Sequence, residues 1–429
     1  MELYGRILCV AMPIFLLLVL LEKVYGTFIG QDKVRTMDMV SSLSSGMTNV
    51  VKDVLGLSVS ILSYEWLLRH CAIFEIPSTA WTFLISFVVL DFEGYWVHRW
   101  SHKINFFWNK HAIHHSSEEY NLACALRQSV SSFVNLFTFF LLPAAILGVP
   151  ASVIAIVAPI QLFAQFWYHT QHIGRMGFLE NIIVTPSHHR VHHALNPEYM
   201  DKNLSQIFII WDKLFGTFQE ELPEVPPVYG ITHPAATWNP IKINFQHLFL
   251  LAKDAWHTKS WRDKLRLWWM PTGWRPSDVA ERFPVSKIQN IYNLEKYAPK
   301  TSRLLLFWSC FQMTVTFLFV YFFFGHLAVI GSPSIFYYGL FIFASVYSYT
   351  DLMDKNRSAL VSETLRSAVA LSMLYFNGDW FGFSNSIAQS NFLIFFYFAL
   401  SFAATAYFVF FEFKVEQKNE LHYETSATQ

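Results

Sequence analysis

The chain has few charged side chains for its length. Only 14% of its 429 residues are Asp, Glu, Lys or Arg, against roughly 25% in a typical soluble domain. The 31 basic and 31 acidic residues balance, so the chain lacks the excess of positive charge that is typical of nucleic-acid-binding proteins. Hydrophobic residues make up 53% of the chain and aromatic residues 18%. This composition argues against a string of soluble domains and favours an integral membrane protein.

Cysteine is also scarce, and several familiar motifs are missing. The four cysteines (Cys9, Cys71, Cys124 and Cys310) are scattered without a Cys-x-x-Cys pair, so we expect buried, unpaired thiols and no disulfide framework. No His-Glu-x-x-His motif occurs, which leaves a metalloprotease site unsupported. No small-x-small cleavage site follows the first apolar run, so we expect that run to be a retained membrane anchor.

Long apolar segments are abundant. Several approach the roughly 20 residues that a membrane-spanning helix needs. The longest of them is interrupted by Pro143, Gly148 and Pro150, the pattern of a helical hairpin. The segments lie at about residues 7–25, 50–68, 81–97, 133–168, 304–324, 335–347, 359–375 and 392–411. They predict an all-α, polytopic membrane bundle of roughly eight or nine helices, with a polar, histidine-rich cap on the cytosolic side.

Eleven of the 17 histidines fall between His98 and His193, most of them in three clusters with helical spacing. Residues three and four positions apart share one helix face, so each cluster can aim several imidazoles at one point. A neutral imidazole coordinates a metal without first losing a proton. The clusters are His98-Arg-Trp-Ser-His102, His111-Ala-Ile-His114-His115 and His188-His189-Arg-Val-His192-His193. Eight convergent nitrogen ligands would suffice for two metal ions.

The spacing does not identify the metal. An all-nitrogen site without cysteine suits iron, zinc, copper or nickel. The clusters directly follow apolar segments, so a lipid could reach them from the bilayer. A redox metal there would fit O2 activation for attack on an unactivated C–H bond, which offers no polarity for acid–base chemistry. A metal transporter is the alternative from another class. It is disfavoured because the histidines gather at helix ends and not at mid-membrane depth.

The order of the clusters between apolar helices resembles the fatty acid hydroxylase/sterol desaturase superfamily of membrane di-iron enzymes. Further motifs resemble its alkylglycerol monooxygenase branch: His114-His-Ser-Ser-Glu-Glu-Tyr-Asn121, Ala125-Leu-Arg-Gln-Ser129, Thr185-Pro-Ser-His-His-Arg-Val-His-His193 and Trp211-Asp-Lys-Leu-Phe-Gly-Thr217. The motif-level similarity spans about residues 91–218. Enzymes of that branch hydroxylate the carbon next to an ether oxygen, and the product collapses to a fatty aldehyde and a glycerol derivative.

The resemblance implies a set of cofactors and partners. These are two iron ions, O2, a lipid substrate from the bilayer and tetrahydrobiopterin as electron donor. The alternative within the superfamily is a fatty acyl or sterol hydroxylase or desaturase that draws electrons from a b5-type carrier. A catalytically inactive homologue is disfavoured because every histidine of the three motifs is intact.

The resemblance also implies the site residues. The expected metal ligands are His98, His102, His111, His114, His115, His189, His192 and His193, with His169 as a ninth. We expect Asp91 and Glu119 to assist the chemistry by accepting hydrogen bonds from ligand N–H groups. A bystander role is expected for His188, and a ligand role for His172 is disfavoured.

Composition divides the chain into five parts: N-terminal membrane helices (1–78), the di-iron domain (79–220), an interfacial linker (221–303), C-terminal membrane helices (304–414) and a disordered tail (415–429). Residues 253–303 hold 11 Lys or Arg against 5 Asp or Glu, interleaved with tryptophans. Such a segment favours the headgroup layer. Basic residues beside the histidines predict a cytoplasmic active site. It would lie at the endoplasmic reticulum in a eukaryote or at the inner membrane in a bacterium.

Overall fold

A computed structural model of the chain describes residues 2–135 and 137–414, and helices dominate this part of the chain. The predicted disordered tail, 415–429, lies outside the described residues. The N-terminal half up to the second histidine cluster contains α1 (Glu2–Phe28), α2 (Thr36–Val54), α3 (Tyr64–Cys71), α4 (Ala80–Lys103) and α5 (Asn105–His115). A two-residue parallel pairing joins strands β1 (Val59–Ser60) and β2 (Val134–Asn135).

Shorter helices build the central part of the chain. They are α6 (Leu122–Ala125), α7 (Leu142–Ile146), α8 (Ala151–Ala164), α9 (Pro186–His192), α10 (Ile210–Phe215), α11 (Pro240–His257), α12 (Trp261–Arg266) and α13 (Ser277–Arg282). Single 3-10 turns lie at Phe137–Leu141, Gly177–Asn181 and Ile291–Asn293. The C-terminal end contains four long helices, α14 (Arg303–Gly325), α16 (Ser334–Met353), α17 (Ala359–Asn377) and α18 (Ser390–Tyr407), and the short α15 (Leu327–Ile330) between the first two.

Four helices among the described residues are long and apolar enough to cross a membrane, fewer than the eight or nine expected. They cover Tyr4–Phe28, Ala80–Lys103, Arg303–Gly325 and Ser390–Glu412. The run at 50–68 does not form one helix, because α2 ends at Val54 and Gly56 adopts a positive φ of 64°. The predicted hairpin forms two shorter apolar helices, at Phe137–Ile146 and Ala151–Ala164. The helical membrane architecture is nevertheless confirmed.

Helices from the two ends of the chain share one hydrophobic core. Val19 of α1, Val40 of α2, Val320 of α14, Ile342 of α16 and Phe398 of α18 are all buried within it. A second, smaller core joins α3, α4, α7 and α8. The terminal helices therefore form a bundle beside the smaller core, from which α4 leads to the histidines.

The terminal bundle contains a buried ion pair. Arg366 donates to Glu363 on the same helix at 2.6 Å, and both side chains are almost completely buried. Arg366 also donates to Gln312 of α14 and to Ser401 of α18, at 3.3 and 2.7 Å. One guanidinium therefore joins three helices of the bundle.

We expect Arg366→Met to destabilise the bundle by about 3–5 kcal/mol, because it leaves the Glu363 carboxylate buried without its partner. Thermal unfolding of the purified protein in detergent measures the effect. The matched control is the double variant Arg366→Met with Glu363→Leu, which removes both charges and should unfold at a higher temperature than the single variant. Equal unfolding temperatures for the two would contradict this account.

Candidate metal centre

The first two histidine clusters lie on two helices that meet at a sharp break. α4 begins in a capping box formed by Thr79 and Thr82 and runs for 24 residues, about 36 Å. His102 lies in its last turn and His98 one turn earlier. Ile104 then adopts an extended conformation and α5 begins at the next residue. This break turns the histidines of α5 back toward those of α4.

The third cluster lies on the short helix α9. Thr185 caps it by accepting from the backbone N–H of His188, and the ring of His188 closes the capping box by accepting from the Thr185 N–H at 3.4 Å. The ring of His188 therefore takes part in capping the N-terminus of α9. His189 and His192 point to the other clusters, and His193 follows at the helix end.

The structure brings nine of the histidines together in two groups. Within each group, one nitrogen from every ring lies within 4.8 Å of the corresponding atoms of the other members. The first group contains His98, His102, His111, His115 and His192, and the second contains His114, His169, His189 and His193. These are the nine residues that the sequence nominated as ligands. Each group mixes residues from distant parts of the chain, so folding is needed to assemble both.

Backbone carbonyls fix the orientation of four of these rings. The Nδ1–H groups of His98, His114, His169 and His192 donate to the carbonyls of Leu204, Arg127, Gln165 and Lys202 at 2.7, 3.3, 3.0 and 3.0 Å. His102 instead places Nδ1 3.3 Å from the carboxylate of Asp201. Because the proton is held on the outward-facing nitrogen, Nε2 of each ring carries a bare lone pair.

These lone pairs face one another inside the protein. Nε2 of His169 and Nε2 of His114 lie 3.4 Å apart although both rings carry their proton on Nδ1. Nε2 of His102 is buried without a hydrogen-bond partner among the described residues. Two acceptors at this distance repel unless a cation lies between them, and a buried acceptor without a partner is costly. The geometry therefore fits bound metal ions.

The charge state of the rings also suits metal binding. Burial lowers the pKa of His114 to about 4. Burial, together with repulsion from neighbouring histidines, lowers the pKa of His111, His115, His189 and His193 well below the ordinary value. These five rings are thus neutral near pH 7, the form that binds metal. Nine nitrogen donors without a thiolate fit iron among the metals that imidazole prefers.

The two carboxylates expected to assist the chemistry lie elsewhere. Asp91 accepts from the backbone N–H groups of Ile207 and Phe208 at 2.8 and 3.0 Å and from the indole of Trp211 at 2.8 Å. It therefore fastens the loop before α10 to α4. Glu119 lies in an ion-pair cluster with Arg35 and Lys296. Among the described residues no hydrogen bond joins either carboxylate to a histidine, so a direct role in the chemistry stays a prediction.

A buried ion pair that the sequence reasoning missed lies behind the second cluster. Asp38 of α2 accepts from Arg127 at 3.0 Å, and only 2–3% of each side chain is exposed. Arg127 also donates to Ser116, the residue after His115, at 2.9 Å. The carbonyl of the same arginine receives the Nδ1–H of His114. The pair therefore positions a candidate ligand through the backbone, and a carbonyl contact of this kind has no sequence signature.

Two further carboxylates support the site indirectly. Asp212 accepts from the backbone N–H groups of Leu204 and Ser205, at 2.7 and 2.8 Å, and so holds the carbonyl that orients His98. Burial tends to raise the pKa of Asp201, but hydrogen bonds from His102 and Lys103 outweigh it and lower the pKa to about 2. Asp201 is thus ionised when it faces His102. His172 lies outside both groups of histidines.

The sequence comparisons agree with this geometry. Residues 83–217 match the fatty acid hydroxylase family. The chain is 36% identical to the alkylglycerol monooxygenase of Homo sapiens over 371 residues, which cover 85% of this chain and 81% of that protein. It is 34% identical to the alkylglycerol monooxygenase of Xenopus tropicalis over 362 residues, 83% and 79% of the two chains.

A shorter match, 29% identical over 160 residues, joins the chain to the ornithine lipid hydroxylase OlsE of Rhizobium tropici and covers 37% and 47% of the two proteins. No solved structure matches the chain. Together with these relatives, the fold and the nitrogen-rich site define an oxygen-dependent oxidoreductase of the membrane, related to the fatty acid hydroxylases. Within that class, the chain belongs to the alkylglycerol monooxygenase family.

Two adjacent histidines make a matched test of ligand assignment. We expect His189→Gln to lose most of the iron held by its group, because it removes one of four imidazoles. His188→Gln should keep its iron, since glutamine is favoured at that position of a capping box. Iron per chain after anaerobic loading, measured by elemental analysis of the purified variants, separates them. Equal iron loss from both would contradict the assignment.

A second test concerns the buried pair behind His114. We expect Asp38→Asn to weaken iron retention by about 10–100-fold, the usual cost of losing a group that orients a ligand. Asp53→Asn is the matched control, because it makes the same change at an exposed position of the same helix. The rate at which a chelator removes iron measures retention. Indistinguishable rates for the two variants would overturn the positioning role.

Proposed function

We propose that the protein is a di-iron monooxygenase that cleaves alkylglycerols at the ether bond. The observation that carries the proposal is the pair of imidazole groups beside the end of α4, a helix apolar enough to cross the bilayer. Two groups, of five and four rings, support two iron ions rather than one. The identity to alkylglycerol monooxygenases over most of the chain supports the ether-lipid substrate.

The proposed reaction inserts one oxygen atom of O2 into the C–H bond next to the ether oxygen. The other oxygen atom leaves as water and takes two electrons and two protons from the donor. The hemiacetal that forms then breaks its carbon–oxygen bond and gives a fatty aldehyde and a glycerol derivative. When bound, iron supplies the oxygen activation that no side chain of this protein can supply.

The protein's own residues hold and shield the site. Neutral imidazoles face inward because carbonyls at Leu204, Arg127, Gln165 and Lys202 receive the outward protons. Tyr120 is fully buried beside His193, with ring centroids 5.2 Å apart, and donates to the carbonyl of Tyr168. The buried ring of Tyr120 keeps bulk water away from this side of His193, which protects a reaction that water would divert.

We propose tetrahydrobiopterin as the electron donor and a cytoplasmic site, since this donor is soluble and the alkylglycerol monooxygenase motifs favour it. Exposed Lys103 and Arg175 flank the histidines, in line with the positive-inside tendency. The second candidate is hydroxylation or desaturation of another lipid with a b5-type donor. A match to a Delta(7)-sterol 5(6)-desaturase of Gibberella zeae favours this second candidate, but that match is 26% identical and covers only 36% of the chain.

Membranes that contain the protein should release fatty aldehyde from an alkylglycerol when O2 and tetrahydrobiopterin are both present. Chromatography of the derivatised aldehyde measures the product. An acylglycerol of the same chain length is the substrate control, and His114→Ala is the inactive protein control. Aldehyde formation with a b5-type donor and none with the pterin would contradict the donor assignment. Turnover of other lipids but not the ether would contradict the substrate.

A further inference from the structure

The segment around α12 exposes large apolar side chains to solvent. Trp256, Trp261, Leu265 and Trp269 are 81%, 77%, 72% and 57% exposed. We name these four residues the tryptophan face. Leu265 follows Trp261 by four residues, so both lie on one face of α12, and Trp269 is exposed in the turn that follows this helix. Leu267, on the opposite side, is fully buried against the protein. A soluble surface rarely displays tryptophans in this way.

Hydrogen bonds fasten this segment to the end of a membrane-spanning helix. The N–H groups of Asn105 and Phe106 donate to the carbonyls of Met270 and Trp268 at 3.0 and 2.9 Å. The hydroxyl of Thr272 donates to the carbonyl of His102, a candidate ligand, at 2.6 Å. Since α4 ends at Lys103, the tryptophan face lies beside the point where that helix ends.

The tryptophan face is also continuous with apolar parts of the protein. The ring of Trp269 lies 5.9 Å from that of Phe107, which in turn lies 4.5 Å from that of Phe137. Phe137 begins the apolar helical stretch Phe137–Ile146. One aromatic layer thus connects the exposed tryptophans to a segment suited to the bilayer.

The charge around the tryptophan face is basic. Residues 253–269 contain five Lys or Arg and two acids. Both acids are paired with arginines: Asp263 with Arg266 inside the segment and Asp254 with Arg275 beyond it, each at 2.6 Å. Lys259 and Arg262 remain exposed beside the tryptophans. Indole rings favour the interfacial layer of a bilayer, and exposed basic residues favour anionic headgroups.

We propose that the tryptophan face docks into the headgroup layer of an anionic membrane leaflet. The rings enter the interface, and Lys259 and Arg262 contact lipid phosphates or carboxylates. Docking would hold the α4–α5 junction, and with it His102, at a fixed depth relative to the lipids. This proposal does not depend on the substrate or on the bound metal.

The test places an environment-sensitive fluorophore on Leu265→Cys, in a chain whose partly exposed Cys9, Cys71 and Cys310 are replaced by serine. The protein is reconstituted in nanodiscs of phosphatidylcholine with phosphatidylserine. We expect nitroxide-labelled lipids to quench the label and aqueous iodide to leave it bright. Glu224→Cys, exposed elsewhere on the chain, is the matched control and should show the opposite pattern.

Variants that remove charge test whether the tryptophan face prefers anionic lipids. Lys259→Gln with Arg262→Gln should abolish the extra protection of the Leu265→Cys label that phosphatidylserine provides over phosphatidylcholine alone. Arg282→Gln with Lys287→Gln removes two exposed cations of the same linker and should leave that protection intact. If iodide quenches the Leu265→Cys label as strongly as the Glu224→Cys label, the proposal is overturned and the face is open to a protein partner.

Discussion

The rest of the structure depends on one constraint: the fold keeps the nitrogen atoms of many imidazole rings close together although these atoms repel one another. Nine rings converge in two groups, and Nε2 atoms face one another at about 3 Å. Burial lowers the pKa of His111, His114, His115, His189 and His193, which removes the larger repulsion between protonated histidines. In the pair His114 and His169 it leaves two Nε2 lone pairs opposed. A metal ion converts that opposition into coordination. Metal binding and the stability of this part of the fold are therefore linked, because the ions favour the folded state alone.

The rest of the fold supplies the outward partners that this convergence requires. A carbonyl from the loop before α10 orients His98, and Asp212 holds that loop in place. The carbonyl of Arg127 orients His114, and Asp38 of α2 holds Arg127. Because α2 shares its core with the C-terminal helices, this ion pair is one connection between the terminal bundle and the metal centre. Helix α4 makes another connection, from the bilayer to His98 and His102.

Much of the site could be predicted from sequence because helical spacing is local. The pattern of His111, His114 and His115 already places their rings near one face, and the ninth residue, His169, follows directly on an apolar segment. The orienting partners could not be found, since four of them are backbone carbonyls, and every residue type carries a carbonyl. Asp91 shows the same limit: a carboxylate in an apolar helix indicates a buried role, yet it binds backbone amides and an indole instead of a histidine. The predicted number of membrane helices was too high; two of the reasons are that the 50–68 run is broken at Gly56 and that the predicted hairpin forms only two shorter helices.

The central claim is that these nine imidazoles hold two iron ions with nitrogen ligands. Iron K-edge X-ray absorption of the anaerobically loaded protein, combined with elemental analysis of the same sample, tests it most directly. The account predicts two irons per chain, with nitrogen and oxygen neighbours, imidazole scattering and no sulfur in the coordination shell. A single iron per chain, or a sulfur neighbour, would contradict it.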